Sequence, residues 1–287
     1  MPMLCLAGVF TVTGTEPDGD SLRFRPDDPD DWTQVPGPHK VRTNAAGAAQ
    51  LRMDAIDALE THYTPTGGHL LHQPLDLAHA AAAELLKWIG FRGVQRDGEK
   101  VIAVDQDDLP GFILTRGADV YGRCVALVGR GDPPATSGHM INVDVRLVRK
   151  TANHRLLTTG LAYPTFYSKL YVDLRRELAK QAGAARDAGK GVFARDRTQK
   201  GVEVKTLTTL TDDAVILPKL FRRLTDYLHL NGDDPSLAGF MTFLSQQDDQ
   251  LWVIPTGQKT SFDTVVAVSG QTVRLKRLPE ELVFEEK

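Results

Sequence analysis

The sequence predicts an α+β fold: a small closed β-barrel with helices packed on it, followed by a smaller α+β region. Three observations carry this. Short runs of alternating apolar residues crowd the first half of the chain. One Ala- and Leu-rich helix interrupts them, and two more helices follow them. After Asp196 the composition changes.

Val9 to Val12 and Leu22 to Phe24 flank a turn rich in Gly, Glu, Pro and Asp, which is hairpin chemistry. Residues 26–40 are rich in Asp and Pro and read as an exposed loop. Gln50 to Ile56 resumes strand character, and 61–74, with Gly, Pro and three histidines, reads as a loop. Leu75 to Ile89 is the clearest helix. Leu75, Ala78, Ala82, Leu85, Leu86 and Ile89 form one stripe, and Gly90 ends it. Val101 to Val104, Phe112 to Leu114 and Arg123 to Val128 read as strands, and Ile141, Val143, Val145 and Leu147 alternate as another. Asn153 is placed to cap a short helix that closes at Gly160. Leu170, Leu174, Leu178 and Ala182 mark a helix of about 20 residues ending near Gly189. Several strands, one helix between them and two helices after them fit an OB-like barrel.

Residues 1–196 form the first expected domain and 197–287 an accessory region. In the latter, Thr198 to Thr211 reads as a connection and Ile216 to Leu230 as an amphipathic helix. Leu251 to Ile254, Thr264 to Val268 and Thr272 to Leu275 read as short strands. The chain of 287 residues, 41% apolar, can bury a sizeable core. Its net charge of −3 leaves a nucleic-acid partner to a local basic groove rather than to the overall balance. Cys5 and Cys124 sit in apolar runs and are expected as buried thiols. The N-terminal MPMLCLAGVFTVTG has no basic leader, and no run reaches the ~20 apolar residues of a membrane span, so a cytoplasmic protein is expected.

Three stretches carry chemistry: Asp18-Gly19-Asp20, Arg52 to Glu60 (RMDAIDALE), and Tyr121-Gly122-Arg123. Phosphodiester hydrolysis needs charge neutralised on phosphate oxygens and a positioned water. Asp20 and Asp57 supply carboxylates for a hard cation, and a backbone carbonyl near Ala58 a third oxygen. Glu60 is placed to prepare water, and Arg52 and Arg123 offer planar forks that match a phosphate. Strict strand alternation puts Arg52 and Asp57 on opposite faces, so the backbone must bend between them. Singly, each of these residues reads as a turn, a solvated carboxylate or a strand end; their co-occurrence changes the weight.

DGDSLRF at 18–24, QLRMDAIDALETH at 50–62, YGRCVALV at 121–128, NHRLLTTGLAY at 153–163 and GKGVFARD at 189–196 together resemble the staphylococcal-nuclease-like (thermonuclease) family, over roughly residues 5–196. The resemblance implies a five-stranded OB-fold barrel with about three helices and cleavage of DNA and RNA that leaves 3′-phosphates. It implies Ca²⁺ as cofactor, with Mg²⁺ or Mn²⁺ as substitutes. Asp20, Asp57 and the Ala58 carbonyl match the metal ligands, Glu60 the water-activating glutamate, and Arg52 and Arg123 the phosphate-binding arginines. The family carries aromatics that stack on a base, and Tyr121, Tyr163, Phe166 and Tyr167 are the candidates here; their alternative role is to cover the barrel. The chain departs from the family in its long 20–52 stretch with Asp27, Asp28, Asp30 and Asp31, in Leu59 where the family has Pro, in Val120, and in its extended 61–74 loop.

The expected function is therefore a metal-dependent endonuclease acting on nucleic acid. The alternative is a barrel that binds nucleic acid or protein without cutting. A nuclease kept in the cytoplasm needs restraint. Selection for foreign DNA, such as phage DNA, with 197–287 as recognition or gating element, is one expectation. His62, His69, His72 and His79 read as surface residues rather than a zinc site. Lys169, Arg175, Arg176, Lys180 and Arg186 read mainly as a solvated face.

Overall fold

In the computed structural model, which describes residues 1–286, five strands close into a barrel. They are β1 (Pro2–Thr11), β2 (Ser21–Pro26), β3 (Ala49–Met53), β4 (Leu109–Ala118) and β5 (Cys124–Arg130). The order around the barrel is β1-β2-β3-β5-β4 and back to β1, and only the β3–β5 pair is parallel. This is compatible with an OB-like barrel. The strand His139–Asn142 adds to the first half of β1. Phe10, Leu22, Phe24, Leu51, Leu114 and Leu127 fill the interior, each side chain contributing about 1.5–3 kcal/mol by leaving water.

Helix α1 (Leu75–Ile89) lies between β3 and β4, with the expected bounds and Gly90 as C-cap. The expected strand at 101–104 is real but pairs with Gln95–Asp97 in a separate hairpin. Two expectations are corrected. Alternation from Ile141 to Leu147 does not give one strand: it stops at Asn142, because the Asp144 carboxylate accepts from the Leu147 N–H and starts a helical turn, Val145–Val148. Helix α2 (Ala152–Thr159) is capped by Thr151, not Asn153. Asn153 is fully buried instead, and its amide donates to the carbonyls of Asp54 and Ala126 and accepts from Val128 N–H. It thereby ties β5 to the turn that follows β3. Helix α3 (Val172–Asp187) is shorter than expected, and Lys169 precedes it.

The loop 26–40 contains a helical turn, Pro29–Gln34, which buries Asp31 and Trp32. Asp31 accepts from the Ser137 hydroxyl at 2.7 Å, while Asp27, Asp28 and Asp30 stay exposed. Cys5 and Cys124 are buried free thiols. No helix among the described residues is long and apolar enough to cross a membrane.

The C-terminal region centres on helix α4 (Pro218–Leu230), amphipathic as expected. Its strands Gln250–Val253 and Thr272–Leu275 lie where expected; residues 264–268 divide into the end of a helical turn and the strand Val266–Ser269. The region is bound closely to the first domain. Leu282–Phe284 pairs with Phe166–Tyr167, and a second apolar core mixes Leu59, Ala78, Tyr163 and Phe193 with Phe221, Leu224 and Phe240.

Candidate active site

The bend that the sequence requires between Arg52 and Asp57 is present. Strand β3 ends at Met53, Ala55 adopts φ 69°, and a short strand, Ile56–Ala58, continues in a new direction. Asp54 N–H donates to Ala126 and Asn153 holds the Asp54 carbonyl, so the turn is fastened from two sides. Both Arg52 and Asp57 then reach one cleft of about 730 Å³.

Asp20 arrives from the turn before β2. Its carbonyl accepts from Met53 N–H at 2.8 Å and its carboxylate from Ala58 N–H at 3.2 Å. Gly19 permits this approach: a Cβ there would lie 2.5 Å from the Ala58 methyl and 2.6 Å from that of Ala81. Ala58 thus faces Asp20 through its amide, and in extended backbone the carbonyl of a residue leaves on the same side as its N–H. Glu60 is fixed through its backbone by buried Gln73, which exchanges hydrogen bonds with it and donates to the Ile216 carbonyl.

Arg123 enters the cleft from the turn before β5. Gly122 takes φ 83°, and Asp119 accepts from the Tyr121 and Arg123 amides and pairs with the Arg123 guanidinium at 2.7 Å. Arg52 is held by Tyr167, whose hydroxyl lies 2.6 Å from Nη2 and whose ring lies under the guanidinium. Burial would raise the Tyr167 phenol, but the charges of Arg52 and Lys219 bring it below its ordinary value.

The cleft therefore gathers Asp20, Asp57 and Glu60 with Arg52 and Arg123, and Asp18 beside them. Burial pushes the Asp20 carboxyl well up, and Asp18, Asp57 and Glu60 add to this. Burial raises Glu60 to about 7, against the pull of a neighbouring guanidinium. That guanidinium belongs to Arg222 of α4. It forks onto Asp57 at 2.9 and 3.1 Å and also donates to Glu60. Among the described residues, no three carboxylates, imidazoles or thiols converge as a ready metal cluster, and Asp57 and Glu60 are both paired with Arg222. The donor set itself is all oxygen, which suits a hard cation such as Ca²⁺ and not a soft one.

The aromatic candidates divide. Tyr167 and Tyr121 line the cleft, Tyr121 at 69% exposure on its rim. Tyr163 and Phe166 do not, which corrects the expectation of stacking. Tyr163 is fully buried, packs edge-on against Phe193 and donates to Asp196; Phe166 lies in the barrel core. Neither presents a ring face to a base. Three of the four histidines are held separately: His62 by Thr61, His72 by the Gln73 carbonyl and His79 by Glu99. Of the basic face, Lys169 and Arg186 pair with Glu286 and Glu280.

Sequence reasoning did not single out Arg222. Its one signal is a cation at the edge of the α4 apolar stripe, beside buried Phe221 and Thr225.

No family model matches the chain, and no curated protein does.

Proposed function

We propose that this protein is a metal-dependent endonuclease that hydrolyses the phosphodiester bonds of nucleic acid. One observation carries the reading: five charged side chains, spread from Asp20 to Arg123, line a single cleft, three carboxylates beside two planar cations. Asp20 and Asp57, with the Ala58 carbonyl, would hold Ca²⁺, or Mg²⁺ or Mn²⁺ in its place. The cation would supply neutralisation of charge on a non-bridging phosphate oxygen.

This chain's own groups do the rest. Arg52 and Arg123 orient the phosphate and stabilise the charge that grows on it. Glu60 takes a proton from the attacking water, and a carboxyl raised to about 7 is well matched to that exchange. The P–O bond to the 5′ oxygen breaks, that oxygen takes a proton from solvent, and a 3′-phosphate remains. Tyr167 positions Arg52, and Tyr121 on the rim is placed to stack on a base.

The test is cleavage of plasmid DNA, single-stranded DNA and RNA by full-length protein in Ca²⁺, Mg²⁺, Mn²⁺ or EDTA. The expected result is cutting only with a divalent cation and loss of cutting in Arg123→Ala. Retained binding with no cutting under any condition would favour a barrel that binds without catalysis.

A further inference from the structure

We infer that Arg222 is a built-in competitor for the cation: its guanidinium stands where the metal must bind, and the site opens when that side chain withdraws. The inference deepens the reading of this cleft as a cation site for phosphodiester cleavage and rests on it.

Three observations support it. Arg222 reaches both Asp57 oxygens and Glu60, so it holds the carboxylates that a cation needs. A calcium ion bonds oxygens at about 2.3–2.6 Å, and such an ion on Asp57 would sit against a like charge. Next, Arg222 differs from its neighbours on α4. Lys219 pairs with Asp249 at 2.9 Å, and Arg223 pairs with Asp249 at 2.6 Å and with Asp226. Both are satisfied within the C-terminal region. Arg222 alone of the three makes its ion pairs across the interface. Finally, one guanidinium does not neutralise the cluster. Asp18 and Asp20 form no ion pair among the described residues, so Arg222 leaves two of the four carboxyl groups of that cluster without a cation partner.

The moving part is the side chain and not the whole region. Tyr63 donates to Asp226, Gln73 to Ile216, and Leu282–Phe284 pairs in parallel with Phe166–Tyr167, so α4 stays docked. The Arg222 side chain keeps 27% of its surface in solvent, which leaves it a path outward.

Calorimetric titration of full-length protein with Ca²⁺ tests this, with cleavage measured in parallel. Arg222→Ala should bind Ca²⁺ about tenfold or more tightly than the wild type, a difference of about 1.4 kcal/mol. Arg222→Gln keeps neutral donors toward Asp57 and Glu60, and so guards against a folding defect; it should tighten binding as well. Arg222→Lys keeps the charge and should stay within about threefold of the wild type. Equal affinity in the wild type and in folded Arg222→Gln would overturn the inference, whatever the cleavage result. Tighter Ca²⁺ binding without cleavage would leave the competition intact and remove the nuclease reading. Cleavage at unchanged affinity would do the reverse.

Discussion

Two carboxylate clusters flank helix α4, and they are built to different ends. Asp249 is buried and meets two cations, Lys219 and Arg223. Burial would raise its carboxyl, but those hydrogen bonds and charges more than offset it and hold it far below the ordinary range. Asp57 and Glu60 are nearly as well covered, yet they share one guanidinium and face Asp18 and Asp20. There the balance tips the other way, and Glu60 rises. A matched cluster stabilises a fold. An under-neutralised one stores a demand for positive charge, which is what a cation-binding site needs.

Substitutions should separate the two clusters. The largest effect is expected at the cleft. Glu60→Gln should cut the cleavage rate by about 10²–10⁴-fold while the far-ultraviolet circular dichroism stays unchanged. Next in size, Asp249→Ala removes a buried carboxylate that two half-buried cations share, leaving Lys219 without its ion-pair partner and Arg223 with Asp226 alone, and should cost about 3–5 kcal/mol of stability in urea titration. Asp57→Asn, by contrast, relieves like-charge repulsion and leaves Arg222 a partner in Glu60. Its stability should fall within about 1 kcal/mol of the wild type or exceed it. A cost at Asp57 equal to that at Asp249 would erase the distinction. Asn153→Ala should cost about 1–3 kcal/mol, because buried backbone groups at Asp54, Ala126 and Val128 lose their partner.

The smallest effect is a dependence on pH remote from the cleft. Glu177 is held by two bonds from Arg149, by Gln181 and by His154. The Arg149 hydrogen bonds lower it from 4.5 to about 2. A depressed carboxyl stabilises the fold above its ordinary value and loses that contribution as pH falls toward its folded value. The urea midpoint should therefore decline between pH 5 and pH 2, and Glu177→Gln should make the decline shallower.

The elements most legible in the sequence were those set by local pattern. Helix α1 follows from its apolar stripe and Gly90, and the β1–β2 pairing from its turn residues. The need for a bend before Asp57 was readable from alternation alone; that Ala55 and Asn153 supply it was not, because Asn153 acts through partners about 25 and 99 residues away. Its position near a helix start made it look like a cap, a role that Thr151 takes two residues earlier. Tyr163 and Phe166 could not be assigned by spacing, since the same aromatic can face a groove or a core, and here the C-terminal region supplies the core that covers Tyr163. Arg222 was the hardest to see. Only the docking of α4 gives it Asp57 and Glu60 as partners.

The central claim is that the cleft carboxylates work through a divalent cation on a phosphodiester. Arg222→Gln, in which no guanidinium occupies Asp57 and Glu60, offers the most direct measurement: plasmid and RNA cleavage in Ca²⁺ and in EDTA, with and without Glu60→Gln added. Cutting in Ca²⁺ that stops in EDTA and collapses with the second substitution is the expected result. Cutting that persists in EDTA, or that survives the loss of the Glu60 carboxylate, would contradict the account.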